Sequence, residues 1–297
     1  MIPCNVIGSY PAVLEKSRYS SAYFSGENLE PYEETLRNAV DAQVKAGIDI
    51  VSDGQTRADF ITLYARNFRG LLMQRRPVVV GGLEYNGPVT VEDQVLVKEL
   101  IPSNVKIKGI ITGPYTLARY SVNRFYGNVE ELAYAYADGL NQEARALDGV
   151  VDYVQLDEPE FSVEYPEYAS ELINVVFDGV GKPRMLHSCG DVSSVFHKLV
   201  ELEVDVLLHE FAANPQLLDT VGQTDFKQKL GYGCVRSDSD KVETVDEISA
   251  RMEKALKAFD EEKILMNPDC GLRNLPPEAA YRKLKNMVEA RDRISNG

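Results

Sequence analysis

The 297-residue chain has no tryptophan, only three histidines and only four cysteines. Four cysteines in a chain of this length make a poor disulfide framework, and metal binding or catalysis is the better use for them. No run of about 18 apolar residues occurs, which excludes a transmembrane helix. The opening residues, MIPCNVIGSYP, carry no basic region ahead of an apolar stretch. A secretory signal is therefore not expected, and the expected location is cytoplasmic. The chain has no excess of positive charge: the net charge is −14. Nucleic acid is excluded as a partner because phosphate contacts need a basic face, and no membrane partner is expected. The glycine-rich dinucleotide fingerprint, the P-loop and the nucleophile elbow are also missing, so nicotinamide, nucleotide-triphosphate and serine-hydrolase chemistry lack support.

Short β-rich runs alternate with longer amphipathic patterns, and no low-complexity linker divides them. Strands are expected near 4–9, 48–53, 105–112, 150–157, 184–188, 204–210, 230–235 and 263–267. Helices are expected over 32–46, 128–147, 168–178, 192–202, 244–260 and 277–292, where apolar residues recur at three- and four-residue spacing. Eight such units predict an α/β fold, a single (β/α)8 TIM barrel over 1–297 as one catalytic domain, with an open doubly wound sheet as the alternative. Residues near 12–30 and 66–96 read as extra loop or hairpin material, the second of these an insertion after the second strand. Asn86-Gly87 carries a hairpin-turn signal.

Polar and reactive residues gather at the expected carboxyl ends of the strands, where barrel enzymes keep their sites. Three motifs there combine into a candidate zinc site: His187-Ser188-Cys189, Glu210 in LLHEFA, and Cys270 in NPDCG. Zinc takes His, Cys and carboxylate ligands, usually four in a tetrahedron. A structural zinc usually draws its cysteines from close pairs on a small module; ligands spread over three strand ends suit catalysis instead. Two thiolates, one carboxylate and a neutral imidazole around a dication leave the site at −1. An electron-rich zinc is better suited to keep a bound thiolate nucleophilic than to polarise a carbonyl, which points to chemistry on a thiol. Glu210 is the ligand expected to yield its place to a substrate thiol.

Other motifs are weaker. Asp157-Glu158-Pro159 is either a helix-capping region or, through Asp157, a site for a substrate amine. Gly8 in Ile7-Gly8-Ser9 would allow close backbone approach, and Ser9 could bond a carboxylate. Asp53-Gly54-Gln55-Thr56-Arg57 adds polar groups at the second strand end. Cys4 and Cys234 have no ligand-type neighbours and read as packing residues. His197 reads as a surface or packing residue, and His209 should face away from Glu210 on its strand.

Together these motifs, from IGSYP at 7–11 to NPDCGL at 267–272, resemble the catalytic barrel of cobalamin-independent methionine synthase. The resemblance implies a (β/α)8 barrel, a Zn²⁺ cofactor and methyl transfer to the zinc-bound thiolate of L-homocysteine. It implies that His187, Cys189, Glu210 and Cys270 are the zinc ligands. It also implies that Ile7 and Ser9 hold the substrate carboxylate, and Asp157 its amine. Gln55 stands where long members of the family have a glutamate for the amine. Tyr120 lies near the place of a tryptophan that packs on the folate. The stretch Arg236-Ser237-Asp238-Ser239 replaces the region of a histidine that protonates the departing folate, which makes Asp238 a catalytic candidate beside Asp157.

Methylfolate is a poor donor that needs such an acid. With the tryptophan and histidine missing, the chain looks more like the short single-barrel form of archaea and some bacteria. That likeness implies methylcobalamin or a methylated corrinoid protein as donor and partner. The alternatives are methyltetrahydrofolate as donor, methylation of another thiol such as coenzyme M, or a non-catalytic zinc-binding barrel that serves as a partner protein.

Overall fold

The computed structural model describes residues 1–12 and 31–295. The expected loop material near 12–30 lies, beyond Ala12, outside the described residues. Strands β1 (Ile50–Val51), β4 (Lys106–Thr112), β6 (Tyr153–Asp157), β7 (Arg184–His187), β8 (Val206–His209), β9 (Lys229–Val235) and β10 (Ile264–Pro268) pair in parallel, in that order. Helix Pro31–Ala46 precedes β1, helices including Val129–Asp148, Ala169–Phe177 and Val245–Ala258 run between strands, and Pro277–Ser295 follows β10. The last of these extends three residues beyond the expected end.

The burial pattern follows from the parallel sheet being covered on both faces. In β4, six consecutive residues from Ile107 to Thr112 are buried. One large apolar cluster lies between the sheet and the helices. A second, small cluster of Ile7, Ile50, Met185, Val206, Leu208 and Leu265 fills the concave side of the sheet. Residues two apart on one strand, such as Val206 and Leu208, share that side because strand side chains alternate.

The expected first strand over 4–9 is not a strand. Cys4 makes an isolated parallel bridge to Met266, and Asn5 makes another to Ile50. These two residues thus sit between the first and last strands of the sheet, which curls until one chain segment separates its edges. Beyond them the backbone pairs with side chains instead of a neighbouring strand. The Val6 carbonyl accepts from Lys108 Nζ. The Ile7 carbonyl accepts from Gln155 Nε2 at 2.9 Å, and that of Gly8 from Ser52 Oγ at 2.7 Å. The fold is therefore a curled, open seven-stranded parallel sheet with helical insertions, rather than the eight-stranded closed barrel that was expected.

Other elements depart from expectation for local reasons. The insertion does contain a hairpin, β2 (Phe68–Met73) with β3 (Pro77–Tyr85), extended by β5 (Val122–Asn123) parallel to β3. Its turn falls at 74–76, and Asn86-Gly87 instead leads out of β3, with Gly87 at φ +103°. The expected helix at 192–202 shrinks to Phe196–Leu199. The expected strand at 48–53 shrinks to β1, and Ser52 and Asp53 bend out of the ladder to bond Gly8 and the Gln55 amide.

Candidate metal centre and active site

The ends of two adjacent strands, β7 and β8, and of β10 deliver the candidate metal ligands. His187 ends β7, Cys189 follows two residues later, Glu210 lies one residue past β8, and Cys270 two past β10. Their ligand atoms all lie within 4.8 Å of one another. His187 Nε2 is 3.1 Å from Cys189 Sγ, which is itself 3.1 Å from Cys270 Sγ. His187 Nδ1 lies 3.0 Å from the Leu208 carbonyl. A carbonyl can only accept, so Nδ1 carries the proton and Nε2 is left as the ligand atom.

The loops are tied to one another. Both Asp269 carboxylate oxygens accept backbone hydrogen bonds, from Ala212 at 2.9 Å and Ala213 at 2.8 Å. The residue before Cys270 thus clamps the segment after Glu210. Burial pushes the Asp269 carboxyl up to about 8, against the pull of those two amides. Gly271 is needed where it stands: a Cβ there would lie 2.1 Å from Ser9 Oγ.

Charge is shared among the ligands. Burial pulls the His187 imidazole down, but the hydrogen bond and charge of Cys270 outweigh it and raise it to about 9. The hydrogen bond with Cys189 draws the Cys270 thiol well below its usual value, and the same bond drives Cys189 up. Burial raises Glu210, opposed by a backbone hydrogen bond from Gly190. Thiols and an imidazole in such contact suit ligands that give up protons when a metal binds. Two thiols, an imidazole and a carboxylate converging on one point fit a zinc ion by donor chemistry.

Beside this cluster lies a cavity of about 330 Å³. Its lining brings together Ile7, Ser9, Gln55, Asp157, His187, Cys189 and Cys270, all singled out from the sequence. Burial raises the Asp157 carboxyl to about 6, opposed by the charge of His187 and the hydrogen bond from Gln155. Gln55 is the only non-glycine residue with positive φ, +46°, among the described residues. Asp53 Oδ1 accepts its amide proton at 3.0 Å, and Arg273 donates to its carbonyl. Such a backbone angle is uncommon outside glycine and persists where the surroundings hold it. Gln55 Nε2 is buried with no protein partner.

Two predicted residues lie elsewhere. Tyr120 is 40% exposed and lines an adjoining groove of about 680 Å³ with Phe60, Arg75, Arg76, Arg119 and Glu160. The groove and the cavity share Asp59 and Phe60. Asp238 is in neither lining. It pairs with Arg236, at 2.8 Å from Nε to Oδ1, and this holds its carboxyl below the usual range. A carboxylate so held is a poor proton donor at neutral pH. His209 is buried behind the ligand loop, its Nδ1 3.4 Å from the Ser188 carbonyl, and burial lowers its imidazole to about 3. Cys4 and Cys234 are fully buried. Asp59, Phe60, Arg273 and Asn274, also in the cavity wall, were not singled out from the sequence. For Arg273 a signal existed, its place three residues after Cys270 in the same loop.

These features place four side chains that could hold a metal ion beside a polar cavity at the carboxyl ends of parallel strands, the arrangement of an α/β enzyme. Residues 2–293 match the family model described as cobalamin-independent synthase, catalytic domain. A methionine synthase of Methanocaldococcus jannaschii is 36% identical, over 96% of this chain and 97% of that protein. One from Saccharolobus solfataricus is 33% identical, over 97% and 93%. A solved B12-independent methionine synthase from Shewanella sp. W3-18-1, in complex with selenomethionine, shares the fold with a TM-score of 0.87. Its identity is 24%, over 100% of this chain and 98% of that one. The chain belongs to the cobalamin-independent methionine synthase family, and it is an enzyme of the methionine-synthase, thiol-methyltransferase type. The non-catalytic reading is thereby set aside.

The family also corrects the expected donor. It is cobalamin-independent. The absent tryptophan and histidine, from which a corrinoid donor and a corrinoid protein partner were expected, do not carry that conclusion. No described helix is long and apolar enough to cross a membrane.

Proposed function

We propose that this chain forms L-methionine by transferring a methyl group to the thiol of L-homocysteine, with methyltetrahydrofolate as donor. The single observation that carries the reading is the cluster of His187, Cys189, Glu210 and Cys270 opening onto the cavity that contains Asp157. These four residues would hold Zn²⁺, which when bound lowers the pKa of a coordinated thiol and so makes it nucleophilic at neutral pH. The folate donor is supported by the cobalamin independence of the family. All of 1–297 serves as one catalytic domain, and the two bridges at Cys4 and Asn5 support reading its sheet as a variant of the (β/α)8 barrel.

The chain's own residues divide the work. Asp157 takes the substrate ammonium. Ser9 and the Ile7 backbone take the carboxylate, which places the thiol toward Cys189 and Cys270. Gln55 closes the cavity as a neutral amide. Phe60 and Tyr120, with ring centroids 6.2 Å apart, form the wall between the cavity and the groove from which the donor approaches. Positioning the two substrates for in-line attack is most of what the protein must supply. The proton for the departing amine comes from a source other than Asp238. Gln55 favours one competing acceptor, a thiol without an ammonium group such as coenzyme M. Zinc-loaded protein supplied with methyltetrahydrofolate and each thiol separately tests both readings. Methionine formation supports the first, and methylation of coenzyme M alone supports the second.

A further inference from the structure

Lys108 lies on β4 on the concave side of the sheet, fully buried, with no contact to the metal cluster among its hydrogen bonds. Its Nζ donates to the Val6 carbonyl and, at 2.6 Å, to Gln155 Oε1. Gln155, equally buried, donates from Nε2 to the Ile7 carbonyl at 2.9 Å and to Asp157 Oδ1 at 2.6 Å. The amide orientation of Gln155 is fixed by these partners. The Ile7 carbonyl can only accept, so Nε2 must face it, and Oε1 is left to accept from Lys108. Lys108 thereby reaches four groups, Val6 and Gln155 directly and Ile7 and Asp157 through Gln155.

We infer that Lys108, acting through Gln155, is a positioning residue for the amino-acid end of the thiol substrate. The inference rests on the functional reading above, in which Asp157 and the Ile7–Ser9 segment hold that end. Residues 6–8 lack regular strand pairing, so side chains alone fix their carbonyls. Lys108 holds Val6 directly and Ile7 through Gln155, and the same amide commits one oxygen of Asp157, which leaves the other for the ligand. The amine-binding carboxylate and the carboxylate-binding backbone are thus set at one spacing by a single buried nitrogen. Burial lowers the Lys108 amine and the charge of Asp157 raises it. Both acceptors are neutral oxygens, so the tie holds in either protonation state.

The test is calorimetric titration of the zinc-loaded protein with L-homocysteine and with 1-propanethiol, which shares the thiol but has no amino-acid end. Lys108→Met removes the donor at nearly constant volume. Gln155→Met cuts the same link from its other end, and either variant suffices if the other does not fold. The expected result is a loss of about tenfold or more in homocysteine affinity, the scale of a buried charged hydrogen bond. Propanethiol affinity should stay within about twofold, with zinc stoichiometry unchanged. Unchanged homocysteine affinity, or equal weakening of both thiols, overturns the positioning role. Wild-type protein that binds homocysteine no better than propanethiol overturns the functional reading itself, and this inference with it.

Discussion

Cys189 Sγ and Cys270 Sγ stand 3.1 Å apart although 81 positions separate them in the chain. Only the curled sheet brings them together, since one follows β7 and the other follows β10. Their shared hydrogen bond leaves Cys270 the more acidic thiol of the two. Cys270→Ser replaces that thiolate by a hydroxyl that zinc binds poorly. Bound zinc, measured by atomic absorption after dialysis, should fall well below one equivalent while the circular dichroism spectrum stays that of wild type. Full zinc content together with full activity would show that Cys270 is not a ligand.

Asp157 lines the cavity and is the carboxylate proposed to take the substrate ammonium. Asp157→Asn keeps the shape and removes the charge. The KM for homocysteine should rise about tenfold or more, the scale of a charge-assisted hydrogen bond, with zinc content unchanged. A KM equal to wild type in steady-state assays would remove Asp157 from the amine site.

Gly113 faces the fully buried Glu158, and a Cβ built there would lie 2.0 Å from Glu158 Cδ. Glu158 cannot move freely, because it accepts from the amides of Tyr115 and Thr116, each at 2.9 Å, and from Thr116 Oγ1 at 2.6 Å. Gly113→Ala should therefore cost about 2 kcal/mol in urea denaturation, as overpacking does. An unchanged midpoint would mean that the start of helix Pro114–Tyr120, which Gly113 precedes, shifts at no cost.

The pH dependence of stability should carry the mark of Glu243. Its carboxylate meets the buried Lys283 at 2.6 Å. Burial raises Glu243, but the Lys283 hydrogen bond and the Arg236 amide outweigh it, so the folded value lies below the ordinary 4.5. A depressed carboxylate contributes stability that is complete above its unfolded value and is lost as pH falls through the folded one. Melting temperature should drop below about pH 4.5 more steeply for wild type than for Glu243→Gln, which starts lower at neutral pH. Parallel curves for the two proteins would contradict this assignment.

The metal cluster was legible in the sequence because its chemistry is explicit: few other uses combine His187, Cys189, Glu210 and Cys270 at separate strand ends. The helices expected over 128–147 and 277–292 from apolar periodicity match Val129–Asp148 and Pro277–Ser295 to within a few residues. Lys108 was not legible. In VKIKGIIT it reads as the polar member of an alternating strand, and only the curvature of the sheet shows that its side of the strand is enclosed. The first strand was misjudged for a related reason. CNVIGS has the composition of a strand, but Lys108, Gln155 and Ser52 take the carbonyls that a ladder would use. Asn86-Gly87 carried a turn signal without saying which turn. Asp238 was singled out by position, and its partner Arg236 two residues earlier already argued against an acid. The donor was misread because two absent side chains, a tryptophan and a histidine, were given more weight than the motifs that place the chain in its family.

The most direct measurement is methionine formation by the zinc-loaded protein with L-homocysteine and methyltetrahydrofolate in cobalamin-free buffer, run beside a parallel reaction with methylcobalamin. Steady turnover with the folate, lost in Cys270→Ser, is the predicted result. No methionine from the folate while methylcobalamin supports turnover would contradict the proposed reaction.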